Sequence, residues 1–133
     1  MITGINHITL NVIDIDDTFA FYTEVLGMKP VMKSKMSAYL LAGDVWLAIV
    51  KGTSRNDNSY DHVAFQVPED KFHDLCTAIK KKGCQEWQEN KSEGDSLYFL
   101  DPSGNKFEIH CSTLQNRVRE GKANWGDEIE WYI

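Results

Sequence analysis

The chain has 133 residues and a formal net charge of −6, with 14 basic against 20 acidic side chains. A hydrophobic content of 42% with 26% charged residues is ordinary for a globular protein that builds one core. The acidic balance argues against a general nucleic-acid or membrane-surface binder, and no run approaches the roughly 18 apolar residues of a membrane span.

Cysteine usage and the start of the sequence both favour a cytoplasmic protein. Cys76, Cys84 and Cys111 are odd in number and lack C-x-x-C spacing, which indicates reduced and mostly structural thiols. The opening, MITGINHITL, has neither the basic nor the apolar segment of a secretion signal. We therefore expect cytoplasmic localisation.

Two strand patterns recur 55 residues apart, INHITLNV at residues 5–12 and YDHVAFQV at residues 60–67. Alternation places the histidine of each copy on the polar face, opposite an apolar face. An amphipathic helix follows each strand, at about residues 16–26 and 69–82, and each helix ends at a glycine. The repeat predicts a duplicated unit.

A further strand and a hairpin follow each helix. The predicted strands span residues 28–33, 38–41 and 45–50 in the first half and 85–88, 97–100 and 106–111 in the second. Residues 52–59 form a polar linker, and residues 113–121 form a short capped helix before WGDEIEWYI, which the pattern does not place. We predict one α+β domain over residues 1–133, with tandem β-α-β-β-β modules at about 1–52 and 58–112 and a helical tail at 113–133.

Three side chains form a candidate metal site. His7 and His62 occupy matching positions of the repeat, and Glu108 lies on the last strand. A lone strand histidine is more often structural, but two at the same phase favour ligands. Two imidazoles and one carboxylate suit Mn²⁺, Fe²⁺ or Zn²⁺ and leave positions open for substrate. His110 shares a face with Glu108 and is a ligand, an orienting partner or a structural residue.

The chain resembles the fosfomycin-resistance glutathione transferases of the vicinal-oxygen-chelate (glyoxalase) superfamily over nearly its whole length. The segments that carry the resemblance are GINHITL, FYTEVLG, AYLLAGDVWLA, DHVAFQV, SEGDSLYFLDPSGNKFEIH and STLQNRV. The resemblance implies a cup-shaped mixed sheet and a domain-swapped-type homodimer. It also implies a shared Mn²⁺ site, with His7 from one copy and His62 and Glu108 from the other.

The resemblance further implies a potassium site and a binding site for fosfomycin, a small epoxide with a phosphonate. The SEGDS loop would bind K⁺, partly through backbone carbonyls, at Ser92, Glu93, Gly94 and Ser96. The substrate-binding residues would be Trp46, Lys91, Ser92, Tyr98 and Arg117. Without the resemblance, exposed basic residues are usually solvated, and strand aromatics usually pack in a core.

The implied reaction is metal-assisted opening of the epoxide by the thiolate of glutathione. Thr9 would place a hydroxyl beside the opening ring, and Tyr39 would help to ionise the thiol. A hydrolytic branch uses a glutamate shortly before the tyrosine, but no acid lies between residues 31 and 38. Bacillithiol-using relatives often have cysteine in place of Thr9, which favours glutathione.

Some features leave alternatives open. Gln88 stands where glutathione-using relatives commonly have lysine, and KSKM at residues 33–36 lacks their tryptophan and glutamine. The strand VWLAIV has no carboxylate, which argues against a four-ligand glyoxalase site. The alternatives are a metal-free protein that sequesters a drug and an enzyme for another small phosphonate or electrophile.

Overall fold

The computed structural model describes residues 1–55 and 58–133 and confirms the predicted α+β fold with two β-α-β-β-β units. Residues 56–57, inside the predicted linker, lie outside the described residues. The elements are β1 (His7–Val12), α1 (Ile15–Ala20) with a π-helical turn (Phe21–Val25), β2 (Lys29–Lys33), β3 (Ser37–Ala42), β4 (Val45–Lys51), β5 (Val63–Gln66), α2 (Glu69–Lys81), β6 (Glu86–Gln88), β7 (Ser96–Leu100), β8 (Lys106–His110) and α3 (Leu114–Asn124).

The strands form two four-stranded mixed sheets. The first has the order β1-β4-β3-β2 and the second the order β5-β8-β7-β6. In each sheet the first strand pairs in parallel with the last strand of its module, and the remaining pairs are antiparallel. The helix between the first two strands of each module provides the connection that a parallel pair requires.

The first helix begins at a side-chain cap and ends in a wider turn. The Asp14 carboxylate accepts a hydrogen bond from the Asp17 backbone N–H at 2.9 Å, which satisfies a helix-end donor. The Leu26 N–H then bonds to the Phe21 carbonyl, five residues back, in place of the usual four. Gly27 ends the helix with a φ of +73°, a conformation that glycine adopts readily.

The two modules share one hydrophobic core. The first helix packs against the second sheet, with Phe21 against Phe99 and Tyr22 against Phe107 at ring separations of 6.5 and 5.6 Å. The Tyr22 hydroxyl also donates to Asp101 at 2.6 Å. The same cluster contains the inward side chains of the first sheet. Each sheet therefore turns one face toward this core and the other away from it.

Hydrogen bonds from the turn between β7 and β8 join the modules. The Ser103 hydroxyl accepts from the Ile13 N–H at 2.8 Å, and the Asn105 side chain donates to the Asn11 carbonyl at 2.9 Å. Ser103 and Asn105 are both buried, so these bonds give two buried polar side chains their hydrogen-bond partners. Within the described part of the chain, no helix is long and apolar enough to span a membrane.

Candidate functional site

The outer face of the second sheet carries an open cavity of about 420 Å³. Predicted metal-ligating and substrate-binding residues make up most of its wall, although they are far apart in sequence. The lining residues are Tyr60, His62, Gln88, Lys91, Ser92, Tyr98, Glu108 and Arg117. All except Tyr60 and Gln88 are residues that the resemblance assigns to the site.

Strand register brings the polar groups together. In the antiparallel pair β7–β8, Tyr98 lies opposite Glu108, and Ser96 lies opposite His110. Alternation puts these four side chains on the face away from the core. Tyr98 and Glu108 are nonetheless only 5% and 6% exposed. The cavity therefore contains a nearly buried carboxylate, and ordinary packing does not require one there.

His62 and Glu108 form a donor pair suited to a cation. The His62 Nδ1 lies 2.9 Å from the Tyr60 carbonyl, which can only accept, so the neutral ring carries its proton on Nδ1. The Nε2 lies 3.0 Å from the Glu108 Oε1, and without a proton it would offer its lone pair to a metal ion beside that oxygen. An imidazole nitrogen and a carboxylate oxygen side by side suit a divalent metal ion, the role that the resemblance implies for these two residues.

Arg117 joins the third helix to the predicted potassium loop. Its Nη2 donates to the Ser92 hydroxyl at 3.4 Å and to the Glu93 carbonyl at 3.3 Å. Its Nε lies 3.6 Å from the Glu93 carboxylate, which also accepts from the Ser112 hydroxyl at 2.6 Å. The guanidinium thus lies at the cavity wall next to the backbone of the loop.

The other predicted residues form a second group on the outer face of the first sheet. The His7 and Trp46 rings lie 4.4 Å apart, and the Tyr39 ring packs edge-on against Trp46 at 5.0 Å. Thr9 is exposed two residues along the same strand face. The His7 Nδ1 lies 2.6 Å from the Asn6 side-chain oxygen, which leaves Nε2 as the free nitrogen.

These two groups lie on different sheets of the chain. Among the described residues, no group of three or more His, Cys, Asp and Glu side chains is placed to hold a metal. His62 and Glu108 come together, whereas His7 does not join them. One chain therefore supplies two of the three expected ligands to the cavity within its described residues.

Sequence reasoning missed the role of Tyr60 in the cavity wall. Its hydroxyl accepts a hydrogen bond from the Gln88 amide at 2.9 Å, and its ring packs edge-on against His62 and Trp87. Alternation was the available signal, because Tyr60 precedes His62 by two positions in the segment that leads into β5. Gln88 stands where glutathione-using relatives commonly have lysine. In this structure its side-chain amide is a neutral hydrogen-bond donor that orients the Tyr60 hydroxyl.

Comparison with known proteins assigns the family. Residues 4–109 match the Glyoxalase/Bleomycin resistance protein/Dioxygenase superfamily. Glutathione transferase FosA of Serratia marcescens is 37% identical over 123 residues, covering 89% of this chain and 87% of the relative. The chain belongs to the fosfomycin-resistance family of this superfamily. Metallothiol transferase FosB of Lysinibacillus sphaericus is also 37% identical, over 88% of each chain.

Solved structures of fosfomycin-resistance proteins have the same fold. A point mutant of FosX of Listeria monocytogenes, bound to Mn(II) and 1S,2S-dihydroxypropylphosphonic acid, matches with a TM-score of 0.80 and 31% identity, covering 90% of this chain and 98% of that one. FosX of Mesorhizobium loti matches with a TM-score of 0.78 and 31% identity, over 89% and 99%. Some of these similar proteins are named as thiol transferases and others only as fosfomycin-resistance proteins. Membership of the family therefore does not show which nucleophile this protein would use.

Proposed function

We propose that this protein opens the epoxide of fosfomycin by metal-dependent addition of a thiol, with glutathione as the thiol. The observation that carries the proposal is the cavity in which His62 and Glu108, a cation-binding pair, face Lys91 and Arg117. Fosfomycin has an epoxide, which a bound cation can activate, and an anionic phosphonate, which basic side chains can bind. When bound, the Mn²⁺ supplies a Lewis acid for the ring oxygen.

The anionic head would be held by side chains of the same wall. Arg117 and Lys91 supply positive charge in a protein of net charge −6, and guanidinium suits an oxyanion through paired hydrogen bonds. The Tyr98 hydroxyl and the Ser92 side chain line the cavity beside them. Holding the head group fixes the direction from which a thiol reaches the ring carbon.

A second copy of the chain would complete the site. His7 lies on an outer sheet face with a free Nε2, and the Nε1 of its neighbour Trp46 is buried without a hydrogen-bond partner in the described chain. We infer that the first sheet of one copy covers the cavity of the other. That arrangement would place Thr9 beside the opening ring and Tyr39 beside the thiol.

The loop of Ser92, Glu93, Gly94 and Ser96 is the proposed potassium site. It lies against the cavity wall and contacts Arg117, which with Lys91 forms the proposed anion clamp, so an ion in the loop would set the position of this clamp. Backbone carbonyls are suited to this cation because they are oxygen ligands with no net charge.

The choice of thiol over water depends on the segment before Tyr39. Water needs a general base within hydrogen-bond reach, and residues 32–38 contain no carboxylate. Lys33 in this segment pairs with Asp16 at 2.9 Å. A thiol near its ordinary pKa of about 8.5 needs less assistance, because a fraction is already ionised at neutral pH.

Two substitutions separate metal binding from substrate binding. Glu108→Gln should abolish Mn²⁺ binding, measured by the electron paramagnetic resonance of free Mn²⁺, together with turnover.

Arg117→Ala should keep the metal and raise the KM for fosfomycin about 10- to 100-fold, because a hydrogen bond to a charged group contributes about 1.5–3 kcal/mol. Arg119→Ala on the same helix, an exposed residue outside the cavity, is the matched control. Turnover by a metal-free Glu108→Gln protein would contradict the proposal.

Product analysis identifies the nucleophile. The Mn²⁺-loaded protein is incubated with fosfomycin and, separately, with glutathione, bacillithiol, cysteine or buffer alone, and the products are identified by mass. We expect the glutathione adduct to form fastest. A diol as the main product in every reaction would assign water as the nucleophile and refute the thiol reaction.

A further inference from the structure

We propose that Ser96 and His110 are positioning residues that fix which oxygen of Glu108 faces the cation. This inference rests on the proposed function, because it takes Glu108 as a metal ligand. The observation is a chain of short contacts behind the carboxylate. The Ser96 Oγ lies 2.6 Å from the Glu108 Oε2 and 2.5 Å from the His110 Nδ1.

The direction of this hydrogen-bond chain follows from proton counting. The Ser96 hydroxyl has one proton, and a carboxylate oxygen can only accept. If the proton pointed at His110, two oxygens would lie 2.6 Å apart with no hydrogen between them. The hydroxyl therefore donates to Glu108 and accepts from His110, so the imidazole must carry a proton on Nδ1.

The two oxygens of the Glu108 carboxylate therefore have different partners. Oε2 is occupied by Ser96, whereas Oε1 faces the His62 Nε2 and the cavity. Because the chain of hydrogen bonds through Ser96 holds Oε2, the Glu108 carboxylate cannot rotate freely. Oε1 therefore presents its lone pair in a fixed direction. Hydrogen bonding of this kind behind a ligand typically changes metal affinity about 10- to 100-fold.

The loop above His110 holds the ring in place. A Cβ built on Gly94 would lie 3.1 Å from the His110 Cε1, so the loop backbone lies directly over the imidazole. His110 is also a cross-strand neighbour of Ser96, which keeps the two side chains on one face. On this account the side chain of Ser96 serves Glu108, and any contribution of Ser96 to a potassium site comes from its backbone carbonyl.

The test measures Mn²⁺ affinity without turnover. Ser96→Ala and His110→Ala should each weaken Mn²⁺ binding about 10- to 100-fold. Ser96→Thr keeps a hydroxyl, and His110→Asn keeps an N–H near the position of Nδ1, so both should restore most of the affinity. His73→Ala, an exposed histidine on α2, is the matched control. A purely structural role would not be rescued selectively by the variants that keep the donor.

Nitrogen NMR of the metal-free wild-type protein gives an independent readout. The His110 resonances, assigned by their loss in His110→Asn, should show a proton on Nδ1. An unprotonated Nδ1 would overturn the inference whether or not the variants fold. If both alanine variants bind Mn²⁺ as tightly as the wild type while Glu108→Gln loses binding, the inference is overturned and the proposed function stands. Wild-type affinity in Glu108→Gln would remove the proposed function as well.

Discussion

Tyr22 shows how one side chain connects the halves of the protein. Its ring is fully buried against Phe107, and its hydroxyl donates to the buried carboxylate of Asp101. Asp101 also accepts from the backbone N–H groups of Ser103 and Asn105, which form the turn that contacts β1. Burial, followed by the negative charge of Asp101, raises the pKa of Tyr22 well above its ordinary value of 10.0.

This shift predicts the response of stability to alkaline pH. Above pH 10 the unfolded chain loses the Tyr22 proton while the folded chain keeps it, so the free energy of unfolding falls as the pH rises toward the folded pKa. Below pH 10 both the folded and the unfolded chain keep this proton, so the stabilisation that comes from the Tyr22 pKa shift is fully present. For this residue the slope approaches about 1.4 kcal/mol per pH unit.

Tyr22→Phe should remove that part of the alkaline slope. At neutral pH it should also lower the free energy of unfolding by about 1.5–3 kcal/mol, because the hydrogen bond to a charged group is lost. Urea unfolding at several pH values between neutrality and pH 11 measures both effects, and Tyr132→Phe at the exposed C-terminus is the control. Identical alkaline slopes in Tyr22→Phe and wild type would contradict this assignment.

The loop between β6 and β7 forms part of the cavity wall through Lys91 and Ser92. Its polar side chains bond to its own backbone, as when the Asn90 amide donates to the Gly94 carbonyl at 2.8 Å. Gly94 has a φ of +82°, and a Cβ there would lie 2.5 Å from the Ser112 Cβ. Only glycine fits this combination of conformation and close approach.

Gly94→Ala should therefore displace the loop and weaken the anion clamp. Gly83→Ala is the matched control, because Gly83 has a φ of +78° with nothing within 4 Å of a built Cβ. Both variants should lose about 1 kcal/mol of stability from the left-handed conformation. Thermal unfolding and fosfomycin titration measure the two effects, and only Gly94→Ala should bind fosfomycin more weakly. Equal fosfomycin affinity in the two variants would show that the loop does not set the clamp.

The sequence predicted most elements because their patterns are local. Alternation correctly put His7 and His62 on outer faces, and the Thr113 cap correctly began α3. The π-helical turn was not predicted, because a period of 3.6 residues assumes regular bonding. Gly121 does not end the last helix, which continues to residue 124. A glycine is needed there because a Cβ would lie 2.7 Å from the Trp131 ring, which stacks on Trp125.

The site was only partly predictable for a different reason. Which residues share a strand face follows from alternation, so Glu108 and His110 were grouped correctly. The direction of each hydrogen bond depends on the partner groups in space, such as Ser96 next to His110, and strand alternation does not encode it. The resemblance to a family supplied the proposed ligand set, and the structure adds the contacts of Ser96 with Glu108 and His110.

At the scale of the whole molecule, the shared core keeps the outer faces of the two sheets apart. Because the inner faces of both sheets pack into one cluster, their polar outer faces cannot meet within a chain. In the proposed function, His7 would therefore belong to one half-site, and His62 with Glu108 to the other. Two copies in a symmetric dimer would form two complete sites, each using both chains.

The most direct test of this account mixes two inactive variants. His7→Ala and Glu108→Gln proteins are each measured alone, then mixed in equal amounts and allowed to exchange subunits, with fosfomycin–glutathione adduct as the readout. Each mixed dimer would contain one intact and one doubly defective site, so random exchange should restore about one quarter of wild-type activity. A mixture that exchanges subunits and stays inactive, beside an active wild-type protein, would contradict a metal site shared between two chains.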